Sequence, residues 1–209
     1  MSTLVVFARE PVAGRVKTRL ARKIGDGAAL ALYRAFLEDV VALTEGVAEH
    51  RLLRVAGDPE SLAALPIARA PQEGADLGAR MDHAIRASLG EGPVAIIGSD
   101  SPTLPRELLV EAFARLQKHD VVLGPSADGG YWLIGARVAV PELFGGIAWG
   151  TPEVLPETLR RLSGRSHSML PSWYDVDEEA DLEYLRLHLR SLPGGVARAT
   201  RRVLALTEA

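Results

Sequence analysis

Short apolar runs alternate along the chain with longer stretches whose apolar residues recur every three or four positions. The short runs are typical of strands buried on both faces, and the longer stretches are typical of helices that bury one face. The predicted strands are residues 4–8, 51–56, 67–70, 94–97, 120–123, 131–136 and 173–176. The predicted helices are residues 27–45, 77–89, 108–116 and 154–162, followed by two more that close the chain.

The alternation of strands and helices predicts one α/β domain over residues 1–209. We expect a doubly wound, mostly parallel central sheet with helices on both faces. In such sheets ligands bind beyond the carboxyl ends of the strands. The loops that follow the predicted strands are therefore the places to look for chemistry.

Composition and charge exclude several classes of protein. Lys and Arg number 24 against 27 Asp and Glu, so the net charge is −3 and gives no support for nucleic-acid binding. The absence of Cys excludes disulfides, thiolate zinc sites and Cys nucleophiles. No apolar run has the length of a membrane span or of a signal peptide, so we expect a cytoplasmic protein. The sequence indicates no oligomeric state.

The loop after the first predicted strand is strongly basic. Gly14 would let its backbone approach a ligand closely. If the loop is extended, Arg15, Lys17 and Arg19 point to one side, where they could bind a di- or triphosphate. A Walker A motif is excluded because Val16 stands where that motif requires Gly. The alternative is an exposed basic loop that leads into a helix.

Acidic residues follow two other predicted strands. Asp100 comes directly after a buried strand and could ligate Mg²⁺ or Mn²⁺, because Thr103 is expected to cap the helix beginning near Pro105. Asp175 and Asp177 should lie on one side of the last predicted strand. The alternative is that Asp177 caps the helix that follows it.

A third group of residues predicts an acceptor site. Asp128 could orient or deprotonate an acceptor hydroxyl, and the two glycines after it leave room for a ligand. An aromatic wall and a hydroxyl further along suit a sugar or another small polar molecule. The predicted acceptor-binding residues are Asp128, Gly129, Gly130, Trp149 and Thr151. The alternatives are an ordinary hairpin turn at Asp128 and simple packing at Trp149.

Six ordered blocks of sequence together resemble a known family. The blocks are residues 9–20, 72–81, 98–104, 124–131, 149–151 and 175–177. They resemble a bacterial family of GT-A-fold proteins, usually called glycosyltransferases or nucleotide-diphospho-sugar transferases. The first block is also similar to that of phospholactate guanylyltransferases, and Asp100-x-Pro102 is similar to a step in molybdenum-cofactor guanylyltransferases.

The resemblance implies a fold and a set of binding residues. It implies a single-domain, Rossmann-like GT-A fold that binds a nucleotide. The implied phosphate contacts are Arg15, Lys17 and Arg19, the implied nucleobase or ribose contacts lie near Gln72 and Gly78, and the implied metal ligands are Asp100 and Asp177. The sequence departs from the D-x-D motif of glycosyltransferases, because Ser99 and Ser101 flank a single acid.

We therefore predict a metal-dependent transferase that moves a group from a nucleotide-activated donor, a nucleotide-diphospho-sugar, to a small acceptor. Asp100, Lys17 and Asp128 are its predicted catalytic residues. One alternative is nucleotidyl transfer, in which an NTP is joined to a phosphorylated small molecule and pyrophosphate leaves. Another is a nucleotide-binding regulator without turnover. The sequence does not identify the nucleobase, the sugar or the acceptor.

Overall fold

A single seven-stranded sheet forms the centre of the computed structural model, which describes residues 1–206. The strands are β1 (Thr3–Arg9), β2 (His50–Ala56), β3 (Ala68–Pro71), β4 (Val94–Ile97), β5 (Val121–Pro125), β6 (Tyr131–Ala136) and β7 (His167–Met169). Their order is β3-β2-β1-β4-β6-β5-β7. Strand β6 runs antiparallel to β4 and β5, and the other four pairings are parallel. Every strand except β6 therefore ends at one edge of the sheet, the carboxyl edge.

Seven α-helices connect or follow these strands within residues 1–206. They are α1 (Thr18–Ile24), α2 (Asp26–Leu43), α3 (Leu77–Ser88), α4 (Arg106–Leu116), α5 (Val154–Arg161), α6 (Glu179–Ser191) and α7 (Arg198–Val203). In this part of the chain, no helix combines the length and the apolar character that crossing a bilayer requires.

Neighbouring residues of β1 point to opposite faces of the sheet, so both faces carry apolar side chains. Helices cover both faces and bury these side chains. Leu4 and Val6 pack in one cluster with Leu37 of α2 and with residues of α4. Val5 packs in another cluster with Ile85 of α3. All of these side chains are fully buried, and each such burial contributes roughly 1.5–3 kcal/mol. The predicted fold class, an α/β sheet with helices on both faces, is confirmed.

A third apolar cluster joins the start of the chain to its end. Leu20 of α1 and Phe36 of α2 pack against Val176 and Leu185 of the last third of the sequence. This packing brings α1 beside α6. The basic residues near position 17 therefore lie close to the acidic segment that precedes α6.

The basic segment is not extended but forms a turn followed by helix α1, so the condition under which its side chains would alternate is wrong. Lys17 is the N-cap of α1 and has left-handed backbone angles, φ 49° and ψ 42°. The helix forms because Leu20 and Ala21 bury one of its sides, while Arg22 and Lys23 favour its last turn. The basic side chains leave the chain in helical rather than alternating directions.

The last predicted strand, residues 173–176, is also wrong, although this segment does contact the sheet. The backbone N–H of Trp173 donates to Pro125 and that of Val176 donates to Asp100, each at 3.0 Å. The segment crosses the ends of β5 and β4 instead of following one strand, so it forms no ladder. The seventh strand is β7 at the sheet edge, whose mixed polar sequence carried no strand signal.

Candidate active site

Three loops and one crossing segment meet at the carboxyl edge. The loops follow β1, β4 and β5, and the crossing segment is residues 173–177. The predicted loops after these strands are therefore brought together, as expected for a sheet of this type. The crossing segment carries acids to the same edge.

Lys17 lies between the two acids that were predicted to bind metal. Its ammonium nitrogen is 2.5 Å from Oδ1 of Asp100 and 2.8 Å from Oδ1 of Asp177. The Lys17 side chain is only 3% exposed, whereas those of Asp100 and Asp177 are 37% and 42% exposed. Burial alone would lower the pKa of Lys17, but the two carboxylate charges outweigh it and raise the pKa above its usual value.

The backbone of Lys17 stores strain at the centre of this cluster. A residue with a Cβ atom in the left-handed region costs roughly 1–2 kcal/mol. The two ion pairs and the start of α1 hold the residue in this conformation. A strained backbone beside buried charges is typical of a functional site.

A basic cavity of about 550 Å³ opens beside Lys17. Its basic side chains come from the end of β1, the loop after β1, α1 and α3, and they are Arg9, Arg15, Lys17, Arg19 and Arg80. Asp76, Asp100 and Asp177 are its acids. All three basic residues predicted to bind phosphate thus line one cavity, although they reach it from a turn and a helix. Whether they bind phosphate stays a prediction.

Of the other residues predicted to bind nucleotide, one lines the basic cavity and two do not. Gln72 lines the basic cavity, and its Nε2 donates to the backbone oxygens of Ala8 and Arg54 at 2.9 and 3.0 Å. Gly78 does not line the cavity, because it is buried against Trp149. A Cβ at Gly78 would lie 2.8 Å from the Trp149 ring. Gly14 forms a turn with φ +74° and also lies outside the cavity lining.

A smaller apolar cavity of about 230 Å³ adjoins the basic cavity. Four of the five residues predicted to bind the acceptor line it, namely Asp128, Gly130, Trp149 and Thr151. The two cavities share Phe7, Leu77 and Gly98 in their walls. An added Cβ at Gly98 would meet no atom within 4 Å.

The loop that carries Asp128 is a hairpin turn, as the alternative interpretation proposed. It joins β5 to the antiparallel strand β6, and Oδ1 of Asp128 accepts a bond of 3.0 Å from the Gly130 N–H. Gly129 does not line the cavity; its φ is +90°, and a Cβ there would lie 2.5 Å from Cα of Pro152. The hairpin geometry and the position beside a cavity are compatible.

Trp149 packs against protein on one side and faces the cavity on the other. Its ring meets that of Tyr131 edge to face at 6.4 Å. The Thr151 hydroxyl donates to the Ala148 oxygen at 2.8 Å, which fixes the loop that presents Trp149. Packing and wall-forming roles therefore coexist in this residue.

The helix cap expected at Thr103 is wrong, and so is the alternative in which Asp177 is a cap. Helix α4 begins after Pro105, and the hydroxyl of Thr103 is instead hydrogen-bonded to that of Tyr174 at 2.8 Å. Helix α6 begins after Glu178, so Asp177 is not its cap. The carboxylate of Asp181 accepts from the backbone N–H groups of Asp177 and Glu178. The Asp177 side chain is therefore available to face Lys17.

Asp175 is the site residue whose position the sequence did not predict. It lines the apolar cavity, whereas Asp177 lines the basic one. Its two oxygens accept hydrogen bonds from Ser101 at 2.5 Å and from Ser126 at 2.8 Å. Burial, reinforced by the nearby Asp100 charge, raises its pKa to about 6. The signal that could have found it is the serine that follows each of β4 and β5.

The Asp100–Asp177 pair suits a hard divalent cation. The two carboxylates approach the same ammonium, and each retains an exposed portion on the side of the basic cavity. Mg²⁺ needs only one or two protein carboxylates when phosphates and water complete its shell. No group of three or more His, Cys, Asp or Glu side chains in residues 1–206 is arranged as a metal site. These residues fit a metal shared with a phosphate ligand.

Comparison with known proteins places the chain in a bacterial family. The family described as "Uncharacterized protein conserved in bacteria (DUF2064)" matches residues 29–151. A solved protein from Desulfovibrio desulfuricans G20, provisionally assigned as a nucleotide-diphospho-sugar transferase, is 33% identical. The match covers 98% of this chain and 96% of that one, with a TM-score of 0.89. No curated protein sequence matches the chain.

More distant solved structures share the fold alone. A nucleotidyl transferase from Methanothermobacter is 16% identical, with a TM-score of 0.59 over 92% of this chain and 99% of that one. A CMP:2-keto-3-deoxy-manno-octonic acid synthetase, solved with CTP, is 14% identical. Its TM-score is 0.55 over 91% of this chain and 99% of that one. Both are similar in the arrangement of strands and helices around the central sheet.

Proposed function

The chain belongs to the DUF2064 family of bacterial proteins, and from that premise we propose a metal-dependent transferase with a nucleotide-activated donor. The donor, a nucleotide-diphospho-sugar, would occupy the basic cavity, and a small acceptor would occupy the apolar cavity. The observation that carries this proposal is the pair of adjoining cavities of opposite character at the carboxyl edge. The name of the Desulfovibrio relative supports the donor class.

The charges around Lys17 support a requirement for metal. Lys17 carries one positive charge and faces two carboxylates, so the cluster has a net charge of −1. A diphosphate placed against this cluster would be repelled unless a cation lay between them. Arg15 and Arg19, which also line the basic cavity, can contact the phosphates directly. When bound, Mg²⁺ or Mn²⁺ would be held by Asp100 and Asp177 and would stabilise negative charge on the leaving diphosphate.

In the proposed reaction, the acceptor hydroxyl oxygen forms a bond to the anomeric carbon of the donor sugar. The bond from that carbon to the diphosphate oxygen breaks, and its electron pair leaves with the nucleoside diphosphate. The hydroxyl proton passes to the carboxylate of Asp128, which lies at the rim of the apolar cavity. Lys17 would hold Asp100 and Asp177 in place throughout.

Nucleotidyl transfer from an NTP is the alternative reaction. The same basic cavity could hold a triphosphate, and two proteins of this fold carry nucleotidyltransferase or CMP-synthetase names. The products separate the two reactions, because glycosyl transfer releases a nucleoside diphosphate and nucleotidyl transfer releases pyrophosphate.

The central test is the substitution Asp100→Asn. In wild-type protein, a nucleoside diphosphate with Mg²⁺ or Mn²⁺ at a hundredfold excess over its Kd should raise the unfolding free energy by about 2.7 kcal/mol. We expect Asp100→Asn to lose the metal-dependent part of this stabilisation, because the substitution removes a ligand charge. Thermal unfolding with a panel of nucleotides, each with and without metal, measures the effect.

The matched control is Asp120→Asn, at the opposite end of β5. Asp120 pairs with Arg137 at 3.0 Å and lies outside both cavities. This variant should keep the full response to metal. If Asp100→Asn also keeps it while remaining folded, the metal lies elsewhere and the proposed mechanism is wrong.

A further inference from the structure

The apolar cavity has a chemical character that restricts what can enter it. Its wall contains Met81, Ile96, Ile134 and Val154 together with four aromatic side chains. At about 230 Å³ it is smaller than the roughly 300–1,000 Å³ typical of sites for drug-sized ligands. It therefore suits a ligand about the size of a single ring, whose apolar face can pack against the aromatic side chains.

The ionisable groups of this cavity are all acidic. Asp128 and Asp175 line it, and none of the described residues in its wall is Arg, Lys or His. The adjoining basic cavity, in contrast, is lined by five basic side chains. An anion in the apolar cavity would lose hydration and face two carboxylates without a counter-charge, and such like-charge contacts are costly.

The aromatic rings extend this preference to cations. Trp149 and Tyr131 meet edge to face at 6.4 Å, so ring surfaces border the space beside the carboxylates. The negative face of an aromatic ring attracts an ammonium group, and a nearby carboxylate adds to that attraction. Uncharged and cationic ligands are therefore both compatible with the wall.

We infer that the acceptor is a small, apolar-bodied alcohol or amine that is uncharged or cationic and carries no phosphate or carboxylate. This inference rests on the proposed function, in which the apolar cavity holds the acceptor. It separates the two candidate reactions, because a phosphorylated acceptor has no counter-charge in this wall.

Three probes with the same ring test the inference on the full chain. Benzyl alcohol, benzylammonium and benzyl phosphate differ mainly in charge. Binding is followed through the indole N–H signals of the three tryptophans in NMR spectra, assigned with single Trp→Phe variants. Trp149 and Trp132 line the apolar cavity, whereas Trp173 lines a separate cavity and supplies the internal control.

Benzyl alcohol and benzylammonium should shift the Trp149 signal and leave that of Trp173 in place. Benzyl phosphate should require a concentration at least roughly tenfold higher for the same shift, since like-charge contacts oppose it. Asp128→Asn should weaken benzylammonium several-fold more than it weakens benzyl alcohol, because only the ammonium loses an opposite charge, whereas Asp120→Asn should change neither. The inference is overturned if benzyl phosphate binds as well as the alcohol, or if neither the alcohol nor the ammonium probe moves Trp149.

This outcome is distinguishable from failure of the proposed function. Nucleotide binding is measured separately through the Asp100→Asn experiment. If nucleotide and metal bind as expected but benzyl phosphate occupies the Trp149 site, only the inference about the acceptor is wrong. If the probes follow the expected order but no nucleotide binds, the proposed function is wrong and the chemistry of the cavity stands.

Discussion

At the scale of single residues, the fold changes the ionisation of Asp175, the buried carboxylate that accepts hydrogen bonds from Ser101 and Ser126. Its pKa rises from 3.8 to about 6 in the folded protein. Between these values the native state binds more protons than the unfolded state, so stability falls as pH rises through this window. Two pH units correspond to roughly 3 kcal/mol at most.

Asp175→Asn removes this pH dependence, because the amide does not ionise. Relative to wild type, the free energy of unfolding of the variant should rise by roughly 1–3 kcal/mol between pH 4 and pH 7. Urea unfolding at several pH values measures the difference, and Asp128→Asn gives the baseline for loss of one exposed carboxylate. A difference that stays flat with pH would contradict the raised pKa.

Most of the residues selected from the sequence line one of the two cavities, but the sequence did not predict the contacts they make there. Position after a buried strand was enough to select Asp100, and a run of basic residues was enough to select Lys17. The contact of Lys17 with two acids depends on a turn and a helix that the sequence pattern did not indicate. Period-two alternation put Asp175 and Asp177 together, but the irregular backbone directs them into different cavities.

At the scale of elements, helix α7 is attached to α2 by one buried carboxylate. Asp39 accepts hydrogen bonds from the N–H groups of Ala199 and Thr200, at 2.9 and 2.8 Å, and from the Thr200 hydroxyl at 2.6 Å. Ala199 and Thr200 are almost completely buried. The side chain therefore serves the first turn of a helix 160 residues away along the chain.

Asp39→Ala should destabilise the protein by roughly 2–4 kcal/mol, because two buried N–H groups lose their acceptor. Glu38→Ala is the matched control, since Glu38 contacts the same helix through an exposed ion pair with Arg202. Its loss should change stability by about 1 kcal/mol or less. Urea unfolding and limited proteolysis of the C-terminal segment measure both variants; equal effects would contradict the role of Asp39.

Buried apolar strands and amphipathic helices were predictable because their patterns reflect packing against the core. The predicted strands at residues 94–97 and 131–136 match β4 and β6 in full. Helix α1 was missed because its basic face dominates a short sequence and its packing partner, α6, is distant along the chain. Strand β7 was missed because three mixed residues at a sheet edge carry no periodic signal.

At the scale of the whole molecule, the mostly parallel sheet follows from the alternation of strands and helices, but the strand order does not. The strand order depends on which face of the sheet each connecting helix packs against. The sequence of a single segment does not determine that face. The reversal of β6 has a local cause. A loop of only five residues joins it to β5, which is too short for the crossover that a parallel pair requires.

The fold does not require a glycine at position 98. A methyl group there would touch nothing, and the backbone does not require glycine, so Gly98→Ala should leave stability unchanged or raise it by up to about 1 kcal/mol. Gly27→Ala, at another uncrowded glycine in α2, provides the comparison.

Gly98 lies where the basic and apolar cavities adjoin, and its lack of a side chain keeps the space between them open. In Gly98→Ala, a nucleoside diphosphate and benzyl alcohol should each still bind alone, but saturation with one should weaken the other by roughly fivefold, about 1 kcal/mol. Calorimetric titrations of each ligand, with and without the other, measure this antagonism. In wild type and in Gly27→Ala the two ligands should bind together. Antagonism of equal size in all three proteins would mean that the two ligands do not meet at residue 98, and that donor and acceptor approach each other elsewhere in the site.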